Sequence, residues 1–384
     1  MYYLNNREMN DLEKFVSLCL KKYDLLGDKE LETLKIIYDK LGRKAITDLA
    51  VKEKIIPFVA YTMSKTNIEK SFWQKKYNYF RDRNTKIVEL LDAIFKEMKN
   101  KNIPIFLYEN FGSLLLSGEN IGLFCSGDVD LCSSLEYKEE VMKVFSSFGY
   151  FPKIRKYETL NIWTEFCNIN KSNDIWINVQ WTPLAEKVFP VAPDINSNIF
   201  FKNIFTIDNS NIQVLSRTYL LFLCLLHTSV HKYTCSPGMK LNVDIDRLII
   251  SGKIEWKQII NFAIKYNVKR RVVLSLMLAY DFLNTPIPKK IILELGGDQS
   301  LTRMIYRYLM GNSFLANEGI ALNRFRTLYL AVLLHDSGIL AGFFRAFFPD
   351  SKWLVKIYDK TSEKNLVQAY VSRVKLILFN RKNV

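Results

Sequence analysis

Asp128-Val129-Asp130-Leu131 sets two carboxylates one residue apart between apolar neighbours. Strand side chains alternate with a period of two, so on a strand both acids point to one face. Their oxygens can then share one or two hard cations. Mg2+ or Mn2+ fits such a pair, with substrate phosphates and water completing the coordination shell. Upstream, Phe111-Gly112-Ser113 offers a glycine for close backbone approach and a hydroxyl for a triphosphate. The chemistry that follows is phosphoryl transfer from an NTP donor, ATP included, with the incoming hydroxyl activated and the leaving pyrophosphate neutralised. A bare Asp-x-Asp ordinarily reads as a solvated turn. The apolar flanks and the Gly-Ser after an earlier apolar run set this one apart.

The elements that must hold these residues follow from periodicity. Apolar stripes at Leu12, Phe15, Val16, Cys19 and Leu20, at Leu31, Leu34, Ile37 and Leu41, and at Ile87, Leu90, Leu91, Ile94 and Met98 predict helices, with a break at Pro57. Past Asn102-Ile103-Pro104, the run Ile105 to Tyr108 has strand length. Leu123-Phe124-Cys125 is a second short apolar run leading into Gly127 and the aspartates. A helix over Tyr137–Phe148 ends at Gly149, and 161–169 with 175–181 predict a hairpin around the polar turn 170–174. From Ser216 the helical pattern returns, through 220–231, 243–250 and 272–282, and no internal repeat interrupts it. The expected fold is α+β, a small mixed-sheet core flanked by helical regions. The divisions are an N-terminal helical region 1–100, the α+β core 101–215 and a C-terminal helical domain 216–384.

Composition narrows the class. With 49 % hydrophobic and 14 % aromatic residues the 384-residue chain is globular rather than disordered. The N-terminus lacks a signal-peptide apolar run, and the six cysteines (Cys19, Cys125, Cys132, Cys167, Cys224 and Cys235) show no zinc spacing. They read as reduced, packed residues of a cytoplasmic protein. The apolar stretch 328–348 is interrupted by His335, Asp336, Ser337, Gly338 and Arg345, so it reads as two packed helices and the protein as soluble, without a membrane span. A net charge of +15 invites phosphate or RNA binding. Its basic clusters, Lys75, Lys76, Arg81, Arg83 and Lys86 among aromatics and Lys269, Arg270 and Arg271, read first as solvated helix faces.

The Gly-Ser and Asp-x-Asp pair resembles the hG[GS]…Dh[DE]h signature of the polymerase-β-like nucleotidyltransferase superfamily. The chain is similar over nearly its whole length to the uncharacterised nucleotidyltransferase-like family NTP_transf_5. Ile103-Pro104, the Gly112 segment, Asp128 to Leu131 and Phe148-Gly149-Tyr150 carry the first part of that likeness. Val179-Gln180-Trp181, His227 with His231, Leu241 to Leu248, Phe348-Pro349, Trp353-Leu354 and Tyr370 to Arg373 carry the rest. The resemblance implies Mg2+-dependent transfer of a nucleotidyl or related phosphate-activated group. Asp128 and Asp130 would be catalytic and metal-binding, and Gly112, Ser113, Asn178 and Gln180 would bind nucleotide. Relatives usually carry a Lys where Phe111 stands and an Arg near Phe124. Their later strand reads acid-x-His-Trp, against Asn178-Val179-Gln180-Trp181 here.

That later strand is where the superfamily places a third carboxylate. Asn178 can offer a carbonyl oxygen to a metal but cannot take a proton. In the expected hairpin Glu165 falls opposite Asn178 or a close neighbour, on the same face, and is the substitute catalytic acid. The competing readings are a solvated Glu165 or a site with two acids only. His227 and His231, four apart, share a helical face and read first as hydrogen-bonded packing residues, with a place near the nucleotide as the second reading. Asp244 and Asp246 do not share a face. Arg247 pairs locally, and Lys202 and Lys240 are further phosphate candidates.

The leading expectation is an enzyme acting on a nucleotide and a small-molecule, peptide or protein acceptor. An RNA-modifying enzyme of toxin type and a catalytically silent binding protein of the same fold are the alternatives.

Overall fold

The computed structural model describes residues 10–125, 127–153, 163–168, 175–181, 198–231, 233, 238–311, 332–348, 351, 354, 366–368 and 370–371. The hairpin turn 170–174, Cys235, the opening of the 328–348 stretch and Pro349, Trp353, Ser372 and Arg373 lie outside those residues.

Four helices come first: α1 (Asp11–Leu20), α2 (Asp28–Lys52), α3 (Ile56–Lys65) and α4 (Lys70–Asn100). A capping box starts α1, where Asn10 Oδ1 accepts from the Glu13 amide at 2.9 Å and Glu13 Oε2 accepts from the Asn10 amide at 3.3 Å. The predicted stripes are the buried ones: Phe15, Val16, Cys19 and Leu20 on α1, Leu34 and Ile37 on α2, and Ile87, Leu91, Ile94 and Met98 on α4. Pro57 opens α3 near its N-terminus, where a missing amide N–H costs nothing.

The α+β core follows with β1 (Ile105–Leu107), α5 (Glu109–Ser117), β2 (Asp128–Ser133), α6 (Lys138–Ser147), β3 (Tyr150–Pro152), β4 (Trp163–Asn168), β5 (Trp176–Gln180), α7 (Asn198–Phe201), β6 (Ile204–Thr206) and β7 (Gln213–Leu215). The strands form one seven-stranded mixed sheet in the order β3-β4-β5-β2-β1-β7-β6. The pairs β2–β5 and β1–β7 are parallel and the others antiparallel. The predicted hairpin is present as β4–β5, and Gly149 takes a positive φ of 80° just past α6. Leu123 and its neighbours form a short 3-10 turn, Ile121–Leu123, rather than a strand. Strands β3, β6 and β7 are additional to the sequence expectation. They are three-residue pieces, β3 and β6 at the two edges and β7 beside β6, too short to show periodicity.

One sheet face is apolar. Val129 and Leu131 of β2, Ile177 and Val179 of β5 and Phe166 of β4 are buried there, and Phe145 of α6 stacks on Phe166 at 4.6 Å. The opposite face of the same strands therefore carries Asp128, Asp130, Asn178 and Glu165.

Among the described residues seven further helices follow: α8 (Arg217–Val230), α9 (Gly238–Ile250), α10 (Trp256–Lys265), α11 (Lys269–Leu283), α12 (Lys289–Glu294), α13 (Ser300–Gly311) and α14 (Ile339–Phe347). One hydrophobic core runs through the N-terminal helices, the sheet and this second group. Polar ties reinforce it. Ser17 donates to the Phe282 carbonyl at 2.7 Å, Arg247 to Leu20 at 2.6 Å and Arg217 to Leu116 at 2.9 Å. Helix α5 packs on β2 and against α8 and α9, which brings the later helices over the polar end of the sheet.

The basic clusters divide. Lys75, Arg81 and Lys86 are exposed on α4 with Tyr77 turned inward, as expected, although Tyr79 points outward. Arg270 and Arg271 are buried, which corrects the solvated reading. Arg270 donates to the carbonyls of Leu333 and His335 at 2.8 Å, and Arg271 donates to Ser229 Oγ at 3.0 Å. The arginines are spent on tying segments together. The five described cysteines are free thiols, with Cys19, Cys132 and Cys224 buried. Among the described residues no helix is long and apolar enough to cross a membrane.

Candidate active site

Alternation on β2 turns Asp128 and Asp130 to one face, and the neighbouring strands extend that face in register. Asp130 lies opposite Asn178 of β5, and Asn178 lies opposite Glu165 of β4. The three residues form a row across adjacent strands, spaced about 4.8 Å apart along the hydrogen-bonding direction. The pairing expected from the hairpin is thus met at Glu165. Gln180 lies one step along β5 on the same face, opposite Trp163, and Trp176 lies opposite Asp128. At the rim the ammonium of Lys153 stands 4.1 Å from the centre of the Trp176 ring.

Asn178 ties the two aspartates together. Its Nδ2 donates to Asp128 Oδ2 at 2.8 Å and to Asp130 Oδ1 at 3.2 Å. Its Oδ1 is buried and has no hydrogen-bond partner among the described residues. Burial raises the Asp130 carboxyl well above the usual carboxylate range, and the nearby charges of Glu109 and Asp128 push it the same way.

Glu109, which periodicity did not single out, is the most unusual member of the site. It is the first residue of α5, 4 % exposed, and adopts a left-handed φ of 58°. Backbone in that region is uncommon for a side chain of its size and concentrates at functional sites. Its Oε2 meets Nδ1 of His227 on α8. Burial, with the charges of Asp128 and Asp244 adding to it, raises the Glu109 carboxyl well above its ordinary range. Burial, aided by Lys240, pushes His227 down to about 3. Burial thus disfavours the charged form of both groups where they meet. His227 is largely buried, as its packing reading expects, and lies on the same side as Glu109. His231 stacks beside it, ring centres 4.6 Å apart.

Helix α9 completes the wall. Lys240 and Asp244, one turn apart, form a long ion pair of 3.9 Å, and burial raises Asp244 to about 6. Asp246 faces away, accepting from Thr285 at 2.8 Å and from Arg247 at 2.7 Å. Arg247 pairs locally with it and also with Glu119, at 2.9 Å. Lys202 is exposed on the segment between α7 and β6.

Gly112 and Ser113 are placed differently from the phosphate cradle expected of them. Both lie inside α5. A Cβ on Gly112 would stand 3.2 Å from the Leu107 carbonyl oxygen, so the glycine serves the packing of α5 on the end of β1. Ser113 is 1 % exposed, and its hydroxyl donates to the Glu109 carbonyl at 3.1 Å and lies 3.5 Å from the Cys224 sulfur. Phe111 and Phe124 pack edge to face at 4.5 Å. A separate cavity of about 210 Å3 lies by the far end of α5, lined in part by Lys22, Tyr61, Glu119 and Arg247, and does not include the aspartates.

Among the described residues, no group of three or more His, Cys, Asp or Glu side chains gathers as a metal cluster. The row supplies instead two carboxylates and one amide whose buried oxygen lacks a partner. The Asp128 and Asp130 oxygens suit Mg2+, which keeps open positions for phosphate and water, while Asn178 turns its Nδ2 to them.

No curated protein matches the chain. Residues 39–284, from within α2 to the residue after α11, match the family described as uncharacterised nucleotidyltransferase. That span contains the whole sheet together with Glu109, Asp128, Asp130, Glu165, Asn178, His227 and Lys240, and the chain belongs to this family, NTP_transf_5.

Proposed function

We propose that this protein is a divalent-cation-dependent nucleotidyltransferase that moves a nucleotidyl group from an NTP to a small-molecule, peptide or protein acceptor. The observation that carries this is the row Asp130–Asn178–Glu165, with Asn178 linking both aspartates. Asp128 and Asp130 would hold Mg2+ or Mn2+, with the Asn178 amide linking them. When bound, the cation supplies charge neutralisation at the reacting phosphate and a lowered pKa for the attacking hydroxyl.

The chain's own residues supply the rest. In the transfer an acceptor oxygen or nitrogen forms a bond to the α-phosphorus. The bond from that phosphorus to the bridging oxygen breaks, and pyrophosphate leaves with the electron pair. Glu165, half-buried on the same face, takes the proton lost by the acceptor. Trp163, Trp176 and Gln180 border the row and offer stacking and amide contacts to a base or acceptor. The apolar underside of the sheet holds the strands in register, so the acids keep their spacing.

Thermal unfolding with each of the four NTPs plus Mg2+ or Mn2+ tests this. Ligand bound only by the folded state raises the midpoint by mass action. A metal-dependent rise that the Asp128→Ala/Asp130→Ala variant loses supports the reading. Absence of any rise leaves a silent scaffold of the same fold, a reading favoured by Asn178 standing where an acid would act as base.

A further inference from the structure

Glu109, Asp128, Asp130 and Asp244 bear on one another at the polar end of the sheet, Glu109 being raised by Asp128 and Asp244 and Asp130 by Glu109 and Asp128. Within this acidic wall Lys240 is buried, 4 % exposed, in the first turns of α9. Its charge bears on Glu109, Asp130, Asp244 and His227 alike. An ammonium has three donors, and a buried one ordinarily uses them. Here its ion pair with Asp244 is long, 3.9 Å, and among the described residues no acceptor hydrogen-bonds it. Its other neighbour is the face of Phe124, 5.6 Å from the ring centre. Phe124 is itself fixed by its edge-to-face contact with Phe111 at 4.5 Å, so this corner offers the ammonium a π surface but no anion. The lysine is buried and short of acceptors, beside the acids that the nucleotide-transfer reading gives to the cation.

We propose that Lys240 is the phosphate-binding cation of this site, its ammonium holding the terminal phosphates of the donor while α9 and Phe124 fix its position. This assignment rests on the nucleotide-transfer reading above. A compact ammonium on a flexible stem suits a phosphate oxygen as a point charge. The unused donors would gain the acceptors they lack. The role is binding rather than proton transfer, and it predicts dependence on phosphate number.

The test is a phosphate ladder. Dissociation constants for NMP, NDP and NTP of all four bases, and for inorganic pyrophosphate and tripolyphosphate, are measured calorimetrically with Mg2+ for the native chain, Lys240→Arg and Lys240→Met. Affinity is expected to climb with phosphate number in the native chain. In Lys240→Met it falls about 10- to 100-fold for triphosphates, as for a lost charge-assisted hydrogen bond, and is nearly unchanged for monophosphates. Lys240→Arg retains most of the climb. A merely structural lysine would lower the unfolding midpoint of Lys240→Met and leave the ladder intact, which overturns the proposal while sparing the nucleotide reading. A native chain without a ladder overturns both. Should Lys240→Met fail to fold, acetylation of the native chain decides: tripolyphosphate with Mg2+ should protect Lys240 from modification, and equal modification with and without it overturns the assignment.

Discussion

A single amide nitrogen of Asn178 reaches both acids of the alternating pair, 2.8 Å from Asp128 and 3.2 Å from Asp130. An uncharged donor between two carboxylates lessens their repulsion without adding charge, so the metal-free protein keeps the acids together. Replacing it by a third acid reverses that balance. Asn178→Asp is expected to lower metal-free stability by about 1–3 kcal/mol, since two hydrogen bonds give way to like-charge repulsion. Added Mg2+ should restore more stability to the variant than it gives the native chain. Unfolding midpoints with and without 10-fold steps in Mg2+ measure this, and equal metal responses would refute it.

Asp130 is held with its carboxyl raised by burial and by the charges of Glu109 and Asp128. Such a site stores strain for function. Asp130→Asn should therefore raise the metal-free stability at pH 8, by about 0.5–2 kcal/mol, and abolish the metal-dependent response to NTP. A denaturant titration paired with nucleotide binding reads both. A destabilised variant that still binds would mean that the carboxyl serves the fold alone.

Glu165 stands two strands from Asp130 on the shared face, with Asn178 between them. As the proton acceptor of the transfer, Glu165→Gln should lower kcat by about 100-fold or more, in the range for a lost general base, and leave nucleotide affinity near the native value. The measurement is single-turnover release of pyrophosphate once an acceptor is in hand. Unaltered turnover would leave the site with its two aspartates alone.

Glu53, just past α2, is 1 % exposed, and its Oε2 has no hydrogen-bond partner among the described residues. Burial raises it to about 7, against 4.5 for an ordinary glutamate. The folded state thus holds this proton more tightly than the unfolded chain. The stability it confers is full below pH 4.5 and is lost as pH rises through 7. Glu53→Gln removes the penalty: the variant should match the native midpoint near pH 5 and exceed it at pH 8. Parallel curves at both values would contradict this.

The N-terminal helices were legible because each has one dominant apolar stripe, as in Phe15, Val16, Cys19 and Leu20, and the sheet centre was legible because Val129 and Leu131 bracket the acids on alternating positions. The hairpin register could be counted to within a neighbour, since both strands and the length of their turn are local in sequence, and Glu165 falls opposite Asn178 within that count. The edge strands were not legible. Three residues such as Ile204–Thr206 carry too few side chains to display alternation, and it is pairing with β7 that makes them a strand.

The site divides along the same line. Sequence alone determined the Asp128–Asp130 pair and its face, because a period of two is a property of a single strand. Folding decided the parallel pairing of β2 with β5, which sets Asn178 beside Asp130, a contact 48 residues apart along the chain. It likewise decided that Glu109 meets His227 and that Lys240 lies near enough to Glu109 and Asp130 for its charge to bear on them, since α5, α8 and α9 come together only through packing. The same packing turned Ser113 inward against Cys224, away from the role its motif suggested. Local spacing specifies which way a side chain points from its own element. Which side chains meet across elements depends on how the buried apolar faces dock, and that is a property of the whole core.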